Sequence, residues 1–185
     1  MVAVLAGVVL VGGVAWFVLA RSDSSDSATT ATLAPVAELV RSTGPDGSYS
    51  IGFPGRPDPA ESTPLPKNPD QKLMGWSQEN AFDPSAAHGY LVISQKFVQR
   101  AQPIHQQMAI DAIGEQFGAD PSAATIETTV LGHPARRFSF RGDGQANSGI
   151  AIATPDYLFL ILTVGPAPTE ERQAVEDSFQ INPAP

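Results

Sequence analysis

Cysteine is absent from the 185 residues. That removes thiol nucleophiles, disulfides, zinc–thiolate sites and a lipid-modified N-terminal Cys in one step. Basic side chains are scarce: 11 Lys and Arg stand against 19 Asp and Glu, a formal net charge of -8. A balance of that sign disfavours nucleic acid as a partner, because no cationic surplus exists to displace phosphate counterions. No G-x-S-x-G elbow, S-x-x-K pair or H-E-x-x-H motif occurs, so the familiar hydrolase and zinc-protease arrangements are missing. The apolar fraction of 42% and charged fraction of 16% fit an ordinary globular chain rather than a disordered or polytopic one.

What is present begins with Met1–Ala20, MVAVLAGVVLVGGVAWFVLA, a run without a charged side chain that Arg21 ends. Roughly 20 apolar residues at about 1.5 Å rise each cross a hydrocarbon core of about 30 Å. Residues 1–20 are therefore expected to be a transmembrane anchor. A cleaved signal peptide is the alternative, with Val18-Leu19-Ala20 as the cleavage site; it lacks a basic n-region, and the run exceeds the usual h-region of about 7–15 residues. Arg21 alone would hold the downstream side in the cytoplasm. The composition of the following segment argues for the outside.

That segment, residues 21–44, is expected to be a tether. Ser22–Pro35 is rich in Ser, Thr, Ala and Asp and almost devoid of large apolar side chains, so burial cannot offset its ordering entropy. At about 5–6 Å times the square root of its length it reaches about 20 Å. Ala34–Val40 is read as a short helical turn before a Gly44-Pro45-Asp46-Gly47 turn. Residues 45–185 then form one domain of ordinary size. Without Arg21, Arg41, Asp23, Asp26 and Glu38, nine basic side chains face sixteen acidic ones, and no polybasic flank exists to bind anionic lipid.

Within the domain, Tyr49–Phe53 alternates as a half-buried strand and stops at Pro54-Gly55. Arg56–Asp70 carries five prolines and is read as irregular. Leu73–Asn80 and Gly89–Phe97 are strands, the latter with Leu91, Ile93 and Phe97 on one face. Pro103 suits a first helical turn, and Ile104, Met108, Ala112, Ile113 and Phe117 form an apolar stripe that Gly118 and Pro121 end. Ala124–Leu131 and Ala135–Arg141 flank a Gly132-His133-Pro134 turn, with Phe138 and Phe140 opposite Arg137, Ser139 and Arg141. Ser148–Thr154 and Tyr157–Val164 flank a Pro155-Asp156 hairpin turn. Tyr157–Val164 is apolar on both faces, which predicts a central strand covered on both sides; it is too short to span a membrane. Thr169 caps a last helix, Glu170–Phe179, whose Glu170 and Glu171 suit the positive helix end. The expected architecture is α+β: a largely antiparallel sheet with helices on both faces.

The opening Tyr49-Ser50-Ile51-Gly52-Phe53-Pro54-Gly55-Arg56-Pro57 resembles the "YSIxFPxxP" start of domains with the PsbP/Mog1-like fold. The long helix after the third strand, the Leu131-Gly132-His133-Pro134-Ala135 turn, the apolar strand before the last helix and the terminal Asp177-Ser178-Phe179 extend the resemblance over Gly47–Ile181. It implies an α/β/α sandwich acting as a non-catalytic accessory, assembly or ligand-binding module. The family shares no common active site, so the resemblance assigns no catalytic residue, cofactor or metal. A membrane tether departs from its soluble photosynthetic members.

Candidate chemistry is sparse. His88, His105 and His133 fall before a strand, at a helix start and in a turn, and read as solvent-exposed or turn histidines rather than as metal ligands. Asp111 and Glu115, four apart on a helix, read as a solvated face. Arg137 and Arg141 share a strand face with Arg136 adjacent, a basic spot able to grip a carboxylate or phosphate; neighbouring acids are the plainer partners. Trp76 is either a contact aromatic or core. The sequence reads as a membrane-tethered, extracytoplasmic, non-catalytic interaction module with an envelope protein as partner. Small-ligand binding and a hydrolase or metal-dependent activity are the alternatives.

Overall fold

A computed structural model describes residues 38–59, 61–64, 73–83, 88–97, 102–119, 124–142 and 144–183. Ten strands and two helices follow in the order β1 (Val40–Thr43), β2 (Tyr49–Phe53), β3 (Glu61–Pro64), β4 (Leu73–Asp83), β5 (His88–Phe97), α1 (Pro103–Gln116), β6 (Ala124–Val130), β7 (His133–Gly142), β8 (Gln145–Ala153), β9 (Tyr157–Val164), α2 (Thr169–Ser178) and β10 (Gln180–Ile181). Seven strands form one sheet in the order β3-β4-β5-β9-β8-β7-β6, and β1-β2-β10 form a second, smaller one. Every strand pairing is antiparallel. The class is mixed α/β with a largely antiparallel sheet, as the element pattern predicts.

β9 is the middle strand of the seven. Leu158, Leu160, Leu162 and Val164 face one side and join α1 through Ala109, Ile110, Ile113 and Phe117. Phe159 and Ile161 face the other side and pack on Tyr49, Ile51 and Phe53 of β2 with Val175 and Phe179. Its double-sided apolarity thus fills two cores. α1 and α2 consequently cover opposite faces, α2 sharing its side with the small sheet.

Four local expectations are corrected. β2 is buried along its whole length rather than half-buried, because β1 and β10 flank it while α2 and the large sheet enclose it. Val40 opens β1 instead of closing a helical turn; residues 34–37 lie outside the described ones. The proline-rich excursion contains β3, an edge strand ending on Pro64, a place where a missing N–H costs no ladder bond. Thr169 is the first residue of α2, and the N-cap is Pro168 with extended backbone (φ -56, ψ 138).

α1 buries only the C-terminal part of the apolar stripe, Ile113 and Phe117. Ile104 is 60% exposed, whereas Gln106, Ala109, Ile110, Ile113 and Gly114 are buried. On that buried face the Gln106 amide donates to the carbonyls of Pro134 (2.9 Å) and Ala151 (3.1 Å), beside the core contacts of Ala109 and Ile110. Its end is a Schellman turn. Gly118, at φ 62, donates to Glu115, and Ala119 donates to Gly114.

The β6–β7 hairpin closes on the Val130–His133 pair. Its two loop residues, Leu131 (φ 51) and Gly132 (φ 79), both occupy the left-handed region, the signature of a type I′ turn.

Candidate functional site: the arginine face of β7

β7 alternates as expected: Phe138 and Phe140 enter the α1-side core, while Arg137, Ser139 and Arg141 are exposed on the α2 side. Strand parity therefore separates the basic cluster. Arg136 projects toward α1, where its guanidinium donates to Glu127 (2.9 Å) and Gln107 (2.9 Å). Arg137 projects the opposite way and is paired with Glu176 of α2. Arg141 has neither ion pair nor hydrogen bond among the described residues. The three arginines do not form one patch: Arg137 and Arg141 share a strand face, and of these Arg137 is already paired.

Register extends this face across the sheet. Ser139 lies opposite Ser148 of β8, Ser148 opposite Thr163 of β9, and Thr163 opposite Tyr90 of β5. α2 meets this hydroxyl row, with Arg172 donating to Ser148 Oγ (3.2 Å). In the first turn of α2, Glu171 Oε1 accepts from the Tyr90 hydroxyl (2.9 Å) and lies 2.7 Å from His88 Nε2. A carboxylate there also meets the positive end of the helix. Burial pushes the Tyr90 hydroxyl well above its ordinary pKa, with the Glu171 hydrogen bond and charge adding. The row thus joins a buried anchored end at His88–Tyr90–Glu171 to an open end at Ser139–Arg141.

A second polar group lies between the sheets. Glu79 of β4 is 2% exposed; it accepts from Ser42 Oγ and from the Tyr49 hydroxyl, 3.3 Å away. Burial raises its carboxyl above the usual range, against the opposing effect of both donors. Beside it Ser77 and Ser94 share a hydrogen bond of 2.7 Å. Residue type carries no hint of this group, since it comes from strands that meet only across layers.

Trp76 sits in β4 opposite Thr63 and Gln95; its side chain lies outside the described residues. The histidines occupy separate places. His88 starts β5, His105 stacks on Phe97 at its other end (4.7 Å between centroids), and His133 opens β7. Asp111 and Glu115 are exposed on α1, Asp111 accepting from Gln107 (2.8 Å). Among the described residues, no three His, Asp or Glu side chains converge as a metal site.

Among the described residues no helix is long and apolar enough to cross a membrane; residues 1–20 lie outside them. No protein-family model matches the chain, and no curated protein matches it significantly.

Proposed function

We propose that the chain is a membrane-tethered, extracytoplasmic interaction module, non-catalytic, whose PsbP/Mog1-like domain serves an envelope assembly. The observation that carries the reading is Arg141, exposed and without a partner among the described residues, on a protein of net charge -8. A cation left unpaired at the surface of an acidic domain selects for an acidic group on a partner. The fold assignment is supported by the opening strand Tyr49–Phe53 and by helices on opposite faces of a largely antiparallel sheet. The anchor and outward orientation are supported by Met1–Ala20 and the tether composition.

The test is crosslinking in native membranes followed by purification of the full-length chain, beside Arg141→Glu and a tether-only control. A specific envelope protein is expected with the unaltered chain and not with Arg141→Glu. Recovery of the same background from all three would overturn the reading. Alkaline phosphatase fused after Pro185 should be active; an inactive fusion reverses the orientation.

A further inference from the structure

The large sheet has two edges, and they are built differently. β3 is four residues long and ends on proline, a protected edge. β6 has seven residues, Ala-Thr-Ile-Glu-Thr-Thr-Val, without proline, glycine or lysine, and its pairing with β7 has no bulge. Its one charge, Glu127, is paired with Arg136 of β7, and long, regular edges with so little protection are what soluble proteins avoid, because their outward N–H and C=O groups template another strand. β6 also presents Ile126, 69% exposed, on the same face as Arg137, its register partner.

The hairpin tip adds an independent observation. Leu131 is 57% exposed and held at φ 51. Asn or Gly would occupy that position of a type I′ turn with less strain. A bulky apolar residue gains nothing for folding there, since it buries little. Strain kept at an exposed apolar tip points to a role outside the fold.

We infer that β6 is a docking edge for an extended partner segment that adds as an antiparallel strand, apolar toward its N-terminal end and acidic toward its C-terminal end. The orientation follows from placement. Antiparallel addition extends a wholly antiparallel sheet with the better-paired geometry. It sets the segment's first residues beside Val130 and Leu131, an apolar residue against Ile126, and its last residues beyond Ala124. β6 begins opposite Ser139, two residues short of Arg141, so those last residues meet the guanidinium that has no described partner. A second copy of this chain fits poorly. Full-length self-pairing sets Glu127 against Glu127, like charges that destabilise a cross-strand pair, between molecules each carrying -8.

The inference rests on the interaction-module reading and narrows it to one mode, so the test separates the two. The probe is a fluorescent peptide, Thr-Val-Thr-Val-Thr-Val-Thr-Asp-Asp, capped at both ends and titrated with the full-length chain in detergent. Saturable binding is expected, weakened about tenfold, a loss of about 1.4 kcal/mol, by Ile126→Lys and again by Arg141→Glu. N-methylation at alternate residues should abolish binding in one alternation and spare it in the other, because only every second N–H faces the edge. Leu131→Asn should raise the melting temperature and still weaken binding, a combination that a purely structural role excludes. No saturable binding, or equal effects of both methylation patterns, would overturn strand docking. So would dimerisation that Ile126→Lys abolishes, or anionic phospholipid vesicles replacing the peptide as the ligand that Leu131→Asn loses. A photocrosslinker at Ile126 should capture a partner in native membranes. Capture from Asp111 on α1 alone would sink the docking edge and leave the module standing, whereas capture from neither position would sink both.

Discussion

Arg136 and Arg137 are chain neighbours that hold opposite layers of the domain together. Arg136 pairs with Glu127, whose side chain is 82% exposed, whereas Arg137 pairs with Glu176, whose side chain is only 9% exposed. Exposed pairs contribute about 0–1 kcal/mol, while removing one partner from a buried carboxylate leaves an uncompensated charge. Arg137→Met should therefore destabilise by about 1–3 kcal/mol, and Arg136→Met by less than about 1 kcal/mol. Urea unfolding of the two variants side by side checks the order.

Glu79 makes stability depend on pH with a definite sign. Burial raises its folded-state pKa above the unfolded value, so the folded chain binds the proton more tightly and Glu79's contribution falls as pH rises through that window. Above the window the buried carboxylate is a standing cost. Glu79→Gln should raise the melting temperature at neutral pH and lose that advantage in acid, below the unfolded pKa. Melting curves of both proteins across pH 4–8 measure the difference; a constant gap would contradict the assignment to this carboxyl.

Gly149 of β8 lies beneath the Phe138 ring. A Cβ there would stand 2.7 Å from Phe138 Cζ and 2.4 Å from the Ile161 carbonyl oxygen. Backbone cannot step aside, so Gly149→Ala should cost about 1–3 kcal/mol, the range for overpacked cores. Gly55, with open space around it, is the control, and thermal unfolding of the two alanine variants separates them.

The rotation of α1 is tested by two isoleucines. Ile110 is fully buried and Ile104 mostly exposed. Ile110→Ala should cost about 2–5 kcal/mol, and Ile104→Ala should stay within about 0.5 kcal/mol. Equal losses in denaturant unfolding would put Ile104 inside with the rest of the apolar stripe.

Those isoleucines also mark where sequence reading reaches its limit. Apolar periodicity placed β9 as a doubly covered strand and put Phe138 and Phe140 opposite Arg137 and Arg141, because burial is the dominant signal a strand carries. On α1 it placed Ile113 and Phe117 inside correctly but put Ile104 there too and left Gln106 out, because a buried glutamine that satisfies two sheet carbonyls has the same polar letter as a solvated one. Adjacency in sequence likewise grouped Arg136 with Arg137, although strand parity sends neighbours to opposite faces. The Glu79–Tyr49–Ser42 group was invisible for a further reason. Its members sit on β4, β2 and β1, and which strands stack across layers is a property of tertiary packing, not of any local pattern.

Arg41 reaches from β1 across β2, donating to Ser50 Oγ (2.8 Å) and to the Gln180 side chain of β10. One guanidinium thereby rivets the first strand of the domain to the last. β1 is also held to β2 by four register pairs, and β2 packs on the seven-stranded sheet. β7 and β6 stand at the far edge of that sheet. A load on β1 would therefore be shared between β2 and β10 before it enters the core that β2 forms with Ala135 of β7.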